Sequence, residues 1–132
     1  MTSIFSKIIS KEIPSYIIAE NEMFIAFLDV FPLSIGHVLV VAKIEIDKFY
    51  ELPADYLMNI MVFAKPICEA IEKSVSCKRV GMAIIGLEIP HAHLHLVPLV
   101  TDASDINFAK KKLNIDKTAL KKMQLKLIAN LQ

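Results

Sequence analysis

The sequence of 132 residues lacks several features that would assign it to a class of protein at once. It has no apolar run near the ~20 residues needed to cross a bilayer, so no membrane-spanning helix is predicted. Its 15 basic and 14 acidic residues nearly cancel, which leaves no field that attracts nucleic acid or a membrane surface. Its beginning also lacks the basic-then-apolar pattern of a signal peptide. We therefore expect a cytoplasmic protein with neither a nucleic-acid nor a membrane partner.

Cysteine and glycine are scarce, with two and three residues respectively. Cys68 and Cys77 show no Cys-x-x-Cys spacing, so small buried thiols are predicted. Gly36 and Gly86 flank the histidine segments described below, where the backbone has to turn or to approach a ligand. The chain has no Gly/Ser linker, and its length suits one domain over residues 1–132.

Apolar residues make up 55% of the chain, a high share for a soluble domain of this size. The clearest helical pattern runs over 53–74, with Pro66 as an expected kink or weak point. Its apolar stripe contains Leu57, Ile60, Met61, Ala64, Ile67, Cys68 and Ile71. Met58 and Val62 add apolar surface beside this stripe, so we expect the helix to contact a second subunit.

The remaining elements follow from alternation and punctuation along the chain. Short strands alternate with turn residues such as Asn21 and Glu22, and Asp116 is a plausible N-cap for a late helix. The predictions are a helix at 3–10, strands at 16–20, 23–29, 37–42, 78–86 and 91–100, and helix over the last thirty residues. This order predicts an α+β fold with a five-stranded, mostly antiparallel sheet, one long helix and an additional C-terminal helical segment.

Histidine is where the sequence is most informative. His91, His93 and His95 stand at alternate positions, and His37 precedes another apolar run. On an extended strand the three alternate rings would share one face, with neighbours ~6.6 Å apart. Packing alone seldom selects three imidazoles on one strand face, so this pattern indicates chemistry.

Two kinds of chemistry use such a cluster. Imidazoles bind zinc, although Glu88 is the only carboxylate near this triad. Alternatively, one ring attacks phosphorus, because an ordinary histidine pKa of ~6.5 leaves a neutral ring at physiological pH. Water can then resolve the phosphoryl-imidazole while the flanking rings bind the phosphate oxygens. The residues by themselves leave both readings open.

Residues 91–97, His-Ala-His-Leu-His-Leu-Val, resemble the signature of the histidine triad (HIT) family, in which three histidines alternate with apolar residues. Segments 3–14, 27–32 and 36–43 are similar to the N-terminal segment and strand pair of its Hint-like branch. The resemblance covers about residues 3–100 and leaves 104–131 as a helical extension. It implies a homodimer in which two five-stranded sheets join.

The resemblance implies a hydrolase or transferase that acts at the α-phosphate of nucleoside phosphoramidates or related nucleotidyl conjugates. His93 would be the nucleophile that is transiently nucleotidylated, with His91, His95 and His37 completing the cluster. Asp29 would accept hydrogen bonds from ribose. The implied nucleotide site further contains Ile4, Phe5, Ile13, Phe27, Leu28, Val30 and Glu88, the first five as an apolar slot for a purine base. No metal or other cofactor is expected.

The chain departs from the family pattern in three places. Ser3, Ser6 and Glu45 stand where many relatives carry zinc ligands, so no structural zinc is expected. Leu87 replaces an amide donor to phosphate, and the neighbouring Glu88 would repel phosphate unless it is protonated or turned away. The lysine-rich stretch 110–126 matches no shared motif and is either a solvated helix face or a cap or anion clamp over the site. A non-catalytic nucleotide-binding protein and a zinc-dependent hydrolase are the alternative functions.

Overall fold

The computed structural model describes residues 2–131, so Met1 and Gln132, the two ends of the expected domain, lie outside it. Five strands form one sheet in the order β1-β2-β3-β5-β4, and every neighbouring pair is antiparallel. The elements are α1 (Ile4–Ile9), β1 (Ile17–Glu20), β2 (Phe24–Leu28), β3 (Val38–Ala42), α2 (Ala54–Ser74), β4 (Arg79–Ala83), β5 (His93–Leu99) and α3 (Lys117–Ala129). The predicted α+β fold with a five-stranded antiparallel sheet is confirmed.

The two faces of the sheet have different neighbours. Strands β2 and β3 are buried along their whole length, so alternate residues enter two separate apolar clusters. Phe24, Ala26 and Val40 pack against α2 and α3 in the larger cluster. Ile25 and Leu39 pack with α1 in the smaller cluster on the opposite face. The larger cluster is the main core, and the face with α1 carries the site.

Helix α2 packs against the sheet and continues through Pro66, whose missing N–H leaves the Val62 carbonyl without its usual helical partner. Its buried residues are Ile60, Ala64, Ile67, Ala70, Ile71 and Ser74. Leu57 and Met61, which belong to the predicted apolar stripe, are 38% and 49% exposed in the single chain. At about 100° per residue both positions fall on the margin of the buried side. Within residues 2–131, no helix combines the length and the apolar composition that crossing a membrane requires.

Strand β5 begins two residues later than predicted. Its ladder with β3 starts at the pair Val41 and His93, while the N–H of His91 donates to the Ile89 carbonyl at 2.8 Å. The predicted start of the strand at residue 91 is therefore wrong, although the ring of His91 contacts Phe5 as the ring of His93 does. His91 precedes the strand because its backbone is used in a local turn.

The C-terminal part is less helical than predicted for 104–131. Residues 103–105 form one 3-10 turn, and α3 begins only after Asp116, whose Oδ1 accepts from the N–H of Ala119 at 2.8 Å. Between them, 106–116 is irregular because local side-chain bonds compete with a helix, as when Asn107 Oδ1 accepts from the N–H of Ala109. The Leu113 N–H donates to the Pro32 carbonyl at 2.9 Å. The irregular segment is thereby tied to the loop between β2 and β3.

Candidate active site

The ring of His93 is held by a hydrogen bond to the backbone. Its Nδ1 lies 2.6 Å from the carbonyl oxygen of His91, and a carbonyl can only accept, so Nδ1 carries the proton. Burial lowers the pKa of His93, which keeps the ring neutral near pH 7. The ring lines a cavity of about 570 Å³. His93 is therefore a neutral imidazole at the wall of a cavity, with a lone pair on Nε2.

The rings of His37 and His95 are joined by a hydrogen bond that fixes which nitrogen of each ring is protonated. His37 Nδ1 accepts from the N–H of Leu33 at 3.1 Å, so His37 has its proton on Nε2 and donates to Nδ1 of His95 at 3.0 Å. His95 is then left with its proton on Nε2. Burial lowers the pKa of His37 to about 3, and burial, the neighbouring ring of His93 and the charge of Lys112 lower the pKa of His95 to about 4. His95 lines the cavity as a neutral N–H donor, and the fully buried His37 supports it from behind.

His91 is buried and lies outside the cavity wall. Its Nε2–H donates to the Ala42 carbonyl at 2.7 Å, and its Nδ1 accepts from the Ser3 hydroxyl at 2.6 Å. These two bonds join α1, the end of β3 and the start of β5. His91 consequently serves the site through its backbone carbonyl, which holds His93.

Ser3, Ser6 and Glu45 meet around the ring of His91. Glu45 Oε1 accepts from the Ser6 hydroxyl at 2.5 Å and from the N–H of Ser3 at 2.8 Å, and these bonds lower the pKa of Glu45. Ser3 Oγ also caps α1 by accepting from the N–H of Ser6 at 3.0 Å. The hydroxyls are poor zinc ligands and are already used in hydrogen bonds, so this set does not fit a structural zinc. In its place a hydrogen-bonded chain runs from Glu45 through Ser3 to His91.

The residues predicted to bind nucleotide all line the cavity that His93 and His95 line. Phe5 contacts three rings edge-on, with centroid distances of 5.1 Å to His93, 5.9 Å to His91 and 5.5 Å to Phe27. Asp29 Oδ1 accepts from the N–H of Phe31 at 2.9 Å, and burial raises the pKa of this carboxyl. The predicted set is Ile4, Phe5, Ile13, Phe27, Leu28, Asp29, Val30 and Glu88.

Sequence reasoning missed four polar or aromatic residues of this cavity, namely Ser15, Phe31, Phe108 and Lys112. Phe108 lies edge-on against the ring of His95 at 4.7 Å between centroids. Lys112 Nζ lies 3.1 Å from Oε2 of Glu88. Ser15 adds a hydroxyl that has no hydrogen-bond partner among residues 2–131. The lysine-rich stretch was the only signal for Lys112, and no motif distinguished it from its neighbours.

One group of side chains could approach a metal ion. Asp29, His37 and His95 each offer a ligand atom, all within 4.8 Å of one another. Both ring nitrogens of His37 are nevertheless engaged, one with Leu33 and one with His95. A cation bound there would have to displace one of these buried hydrogen bonds. The arrangement therefore fits proton positioning better than metal binding.

Comparison with known proteins agrees with this geometry. The HIT domain model matches residues 10–102. The chain belongs to the HIT family. An uncharacterized HIT-like protein of Methanocaldococcus jannaschii is 35% identical over 118 residues, covering 86% of this chain and 91% of that protein. Adenosine 5'-monophosphoramidase of Saccharomyces cerevisiae is 31% identical over 130 residues, covering 98% and 82%.

A HIT-like protein from Bartonella henselae has the same fold, with a TM-score of 0.85 at 23% identity over 98% of this chain and 96% of that one. Further adenosine 5'-monophosphoramidases at about 30% identity place nucleotide hydrolysis at the level of the HIT family. The domain match ends at residue 102, so Phe108 and Lys112 lie beyond it. This HIT protein therefore combines a family histidine cluster with a cavity wall from outside the matched domain.

The hydroxyl of Ser3 should be required as the hydrogen-bond donor to Nδ1 of His91. We expect Ser3→Ala to lower the free energy of unfolding by about 1–3 kcal/mol, because it leaves a buried ring nitrogen without its donor. The measurement is urea unfolding, together with the ¹⁵N shift of His91 Nδ1, which should move towards that of an unbonded nitrogen.

Two further variants at this position separate the effect of losing the helix cap from the effect of losing the bond to His91. Ser3→Thr keeps the hydroxyl and should retain both the free energy of unfolding and the ¹⁵N shift of His91 Nδ1. Ser3→Gly keeps most of the cap stability and should still move the His91 signal. An unchanged Nδ1 shift in Ser3→Gly would contradict the proposed bond.

Stability should depend on pH through His37. Its pKa in the folded protein lies well below its unfolded value, so the unfolded chain binds the extra proton and folding stability is lost as pH falls from about 6.5 towards 3. We expect the stability difference between wild type and His37→Gln to narrow from pH 7 to pH 4, by at most ~1.4 kcal/mol per unit. Urea unfolding at each pH measures it. The raised pKa of Asp29 changes stability with pH in the opposite direction, and it does so in both proteins. Parallel curves of stability against pH for wild type and His37→Gln would refute the role of His37.

Proposed function

We propose that this HIT protein hydrolyses or transfers the nucleotidyl group of nucleoside phosphoramidates or related nucleotidyl conjugates through a covalent intermediate on His93. The observation that carries the proposal is the bond from His93 Nδ1 to the His91 carbonyl. It leaves the Nε2 lone pair on a neutral ring at the wall of the cavity. A cavity of this size is typical of small-ligand sites, which span roughly 300–1,000 Å³.

The reaction divides into two displacements at phosphorus. In the first, His93 Nε2 forms a bond to the α-phosphorus while the bond to the leaving amine breaks, and the amine takes up a proton from the solvent. In the second, water attacks phosphorus, loses a proton and releases His93 with a nucleoside monophosphate. The Nε2–H of His95 donates to a phosphate oxygen in both steps, where charge builds up. His37 keeps that proton in place by occupying the other nitrogen of His95.

The rest of the cavity suits a nucleoside. Asp29 stands at the end of β2 and supplies carboxylate oxygens for the ribose hydroxyls. The base enters between apolar side chains, which bury it but make no hydrogen bonds to its polar edge. Both purines are therefore accommodated. These walls contain Ile4, Phe5, Ile13, Phe27 and Leu28.

A second candidate function is nucleotide binding without turnover. Leu87 stands where the family resemblance places an amide donor to phosphate, and its side chain is 89% exposed. An apolar residue there gives the phosphate no hydrogen bond. The next experiment separates this candidate from the enzyme.

Label from an adenosine phosphoramidate carrying ³²P should become attached to His93. The protein is mixed with substrate and denatured in alkaline detergent, where phosphorus–histidine bonds survive, and mass spectrometry locates the label. We expect His93→Ala to carry no label and to lose turnover by on the order of 10³-fold or more.

Added imidazole should restore part of the turnover of His93→Gly, because it supplies the missing nucleophile. A wild-type protein that binds adenosine monophosphate but neither turns over nor retains label would establish the binding-only candidate instead. Label on another residue would contradict the role of His93.

We infer that two copies associate through the first half of α2. Positions 58, 62, 65, 69 and 73 lie on one exposed side of this helix at its 3.6-residue period. That side is apolar at Met58 and Val62, which are 75% and 71% exposed, and charged at Lys65 and Glu69. A contiguous apolar patch of this kind is typical of a surface that meets a partner.

Val62→Glu should prevent this association, because a charge would be buried at the interface without a partner. We expect a monomer by light scattering during size-exclusion chromatography, whereas wild type runs as a dimer. Lys73→Glu is the matched control, since it places the same side chain on the charged half of that helix face. A dimeric Val62→Glu protein would remove this surface from the proposal.

A cytoplasmic location and the lack of nucleic-acid and membrane partners stay predictions of the sequence. The formal net charge of +1 supports the lack of nucleic-acid and membrane partners, because it supplies no general attraction to polyanions. Purine nucleotides or their conjugates are the partners that the cavity favours.

A further inference from the structure

Lys112 is the only lysine or arginine among the described residues that line the cavity. The irregular segment that carries it is anchored on both sides. Phe108 packs on the ring of His95, and the N–H of Leu113 donates to the Pro32 carbonyl. Ile115 then packs against the main core. These contacts hold the backbone of Lys112 at the edge of the cavity.

The charges around the cavity are unfavourable for a phosphate without this lysine. Asp29 and Glu88 both line the wall, and the imidazoles of His93 and His95 are neutral. Lys112 is close enough for its charge to contribute to the lowered pKa of His95 and of His37, and to oppose the rise in pKa that burial causes at Asp29. Its positive charge therefore acts on the place where the phosphate has to lie.

The ammonium group of Lys112 has a weakly held partner in the free protein. Its Nζ lies 3.1 Å from Oε2 of Glu88, which also lines the cavity, and the two side chains are 30% and 66% exposed. Such an exposed pair contributes little to stability, about 0–1 kcal/mol. An entering phosphate can therefore replace Glu88 as the partner of Lys112 at small cost.

We propose that Lys112 is a phosphate-binding residue of this protein, paired with Glu88 until an anionic substrate takes its place. This inference rests on the proposed function and names the recognised group as the α-phosphate of a nucleotide. Lys112 supplies the contact that Leu87 does not make. It lies beyond residue 102, outside the part of the chain that the HIT domain model matches.

A simpler role for Lys112 would be to neutralise Glu88. In that case it contributes only because a nearby carboxylate repels the ligand, and it makes no contact with phosphate. Removing Glu88 distinguishes the two roles. Without Glu88 the carboxylate that Lys112 pairs with is gone, so the neutralisation of Glu88 disappears, whereas a direct contact persists.

The experiment measures the binding of adenosine monophosphate and of adenosine by calorimetry at low salt. We expect Lys112→Gln, which keeps most of the side-chain stem, to weaken adenosine monophosphate by about tenfold or more, as for loss of a charge-assisted hydrogen bond. Adenosine should bind within about twofold of wild type, since it lacks the phosphate. Lys112→Arg should retain the binding of adenosine monophosphate, and Lys111→Gln, on the adjacent exposed residue, is the matched control.

The Glu88→Gln background gives the decisive comparison. Glu88→Gln alone should tighten adenosine monophosphate, and adding Lys112→Gln should again weaken it by about tenfold or more. Loss of that effect in the Glu88→Gln background would overturn the proposal and leave Lys112 as a neutralising residue. An equal loss for adenosine would also overturn it.

Failure of this inference differs from failure of the proposed function. If wild type binds adenosine monophosphate and forms the His93 intermediate while Lys112→Gln binds it equally well, only the role of Lys112 is wrong. If wild type binds neither nucleotide nor nucleoside, the nucleotide site itself is wrong. Circular dichroism melting of each variant checks that the fold is retained.

Discussion

The hydrogen bond between His93 Nδ1 and the carbonyl of His91 is the constraint on which the candidate site depends. It determines which nitrogen of His93 keeps the proton and therefore which one is free to react. The carbonyl can do this only because His91 is itself immobilised by Ser3 and by Ala42. One side chain is thus buried so that its backbone can orient the ring two residues later.

Burial of the sheet serves stability and chemistry together. The larger apolar cluster on one face is the core of the fold. The smaller cluster on the other face supplies part of the cavity wall. The same exclusion of water lowers the pKa of His93, His95 and His37. Neutral imidazoles result, and these can act as nucleophile or N–H donor at physiological pH.

Two parts of the chain line the cavity. Its histidines stand in the part that matches the HIT domain, on strands whose register is fixed by the buried ladder. Phe108 and Lys112 come from the irregular segment beyond residue 102. A rigid strand suits groups that need a defined tautomer, whereas a loop can change its length and charge without disturbing the sheet. The histidines of the candidate site thus lie on or beside the sheet, whereas Phe108 and Lys112 approach the cavity from an irregular segment.

The sequence alone determined the sheet, the long helix and the grouping of the histidines, because alternation and helical period are local consequences of chain geometry. It also supported the family resemblance, which the comparisons confirmed. It did not determine that His91 precedes the strand, because a turn bonded to Ile89 depends on the surrounding fold. Nor did it determine that Leu57 and Met61 stay exposed, since the width of the buried stripe depends on what lies against the helix.

Tertiary structure alone decided how distant residues act together. Ser3, Glu45 and His91 lie far apart in the sequence, and their bonds exist only because α1 folds against the start of β5. Lys112 reaches Glu88 across 24 positions for the same reason. Hydrogen bonds and ion pairs require distances of a few ångström, and residue type and local period do not encode which remote positions will be brought that close.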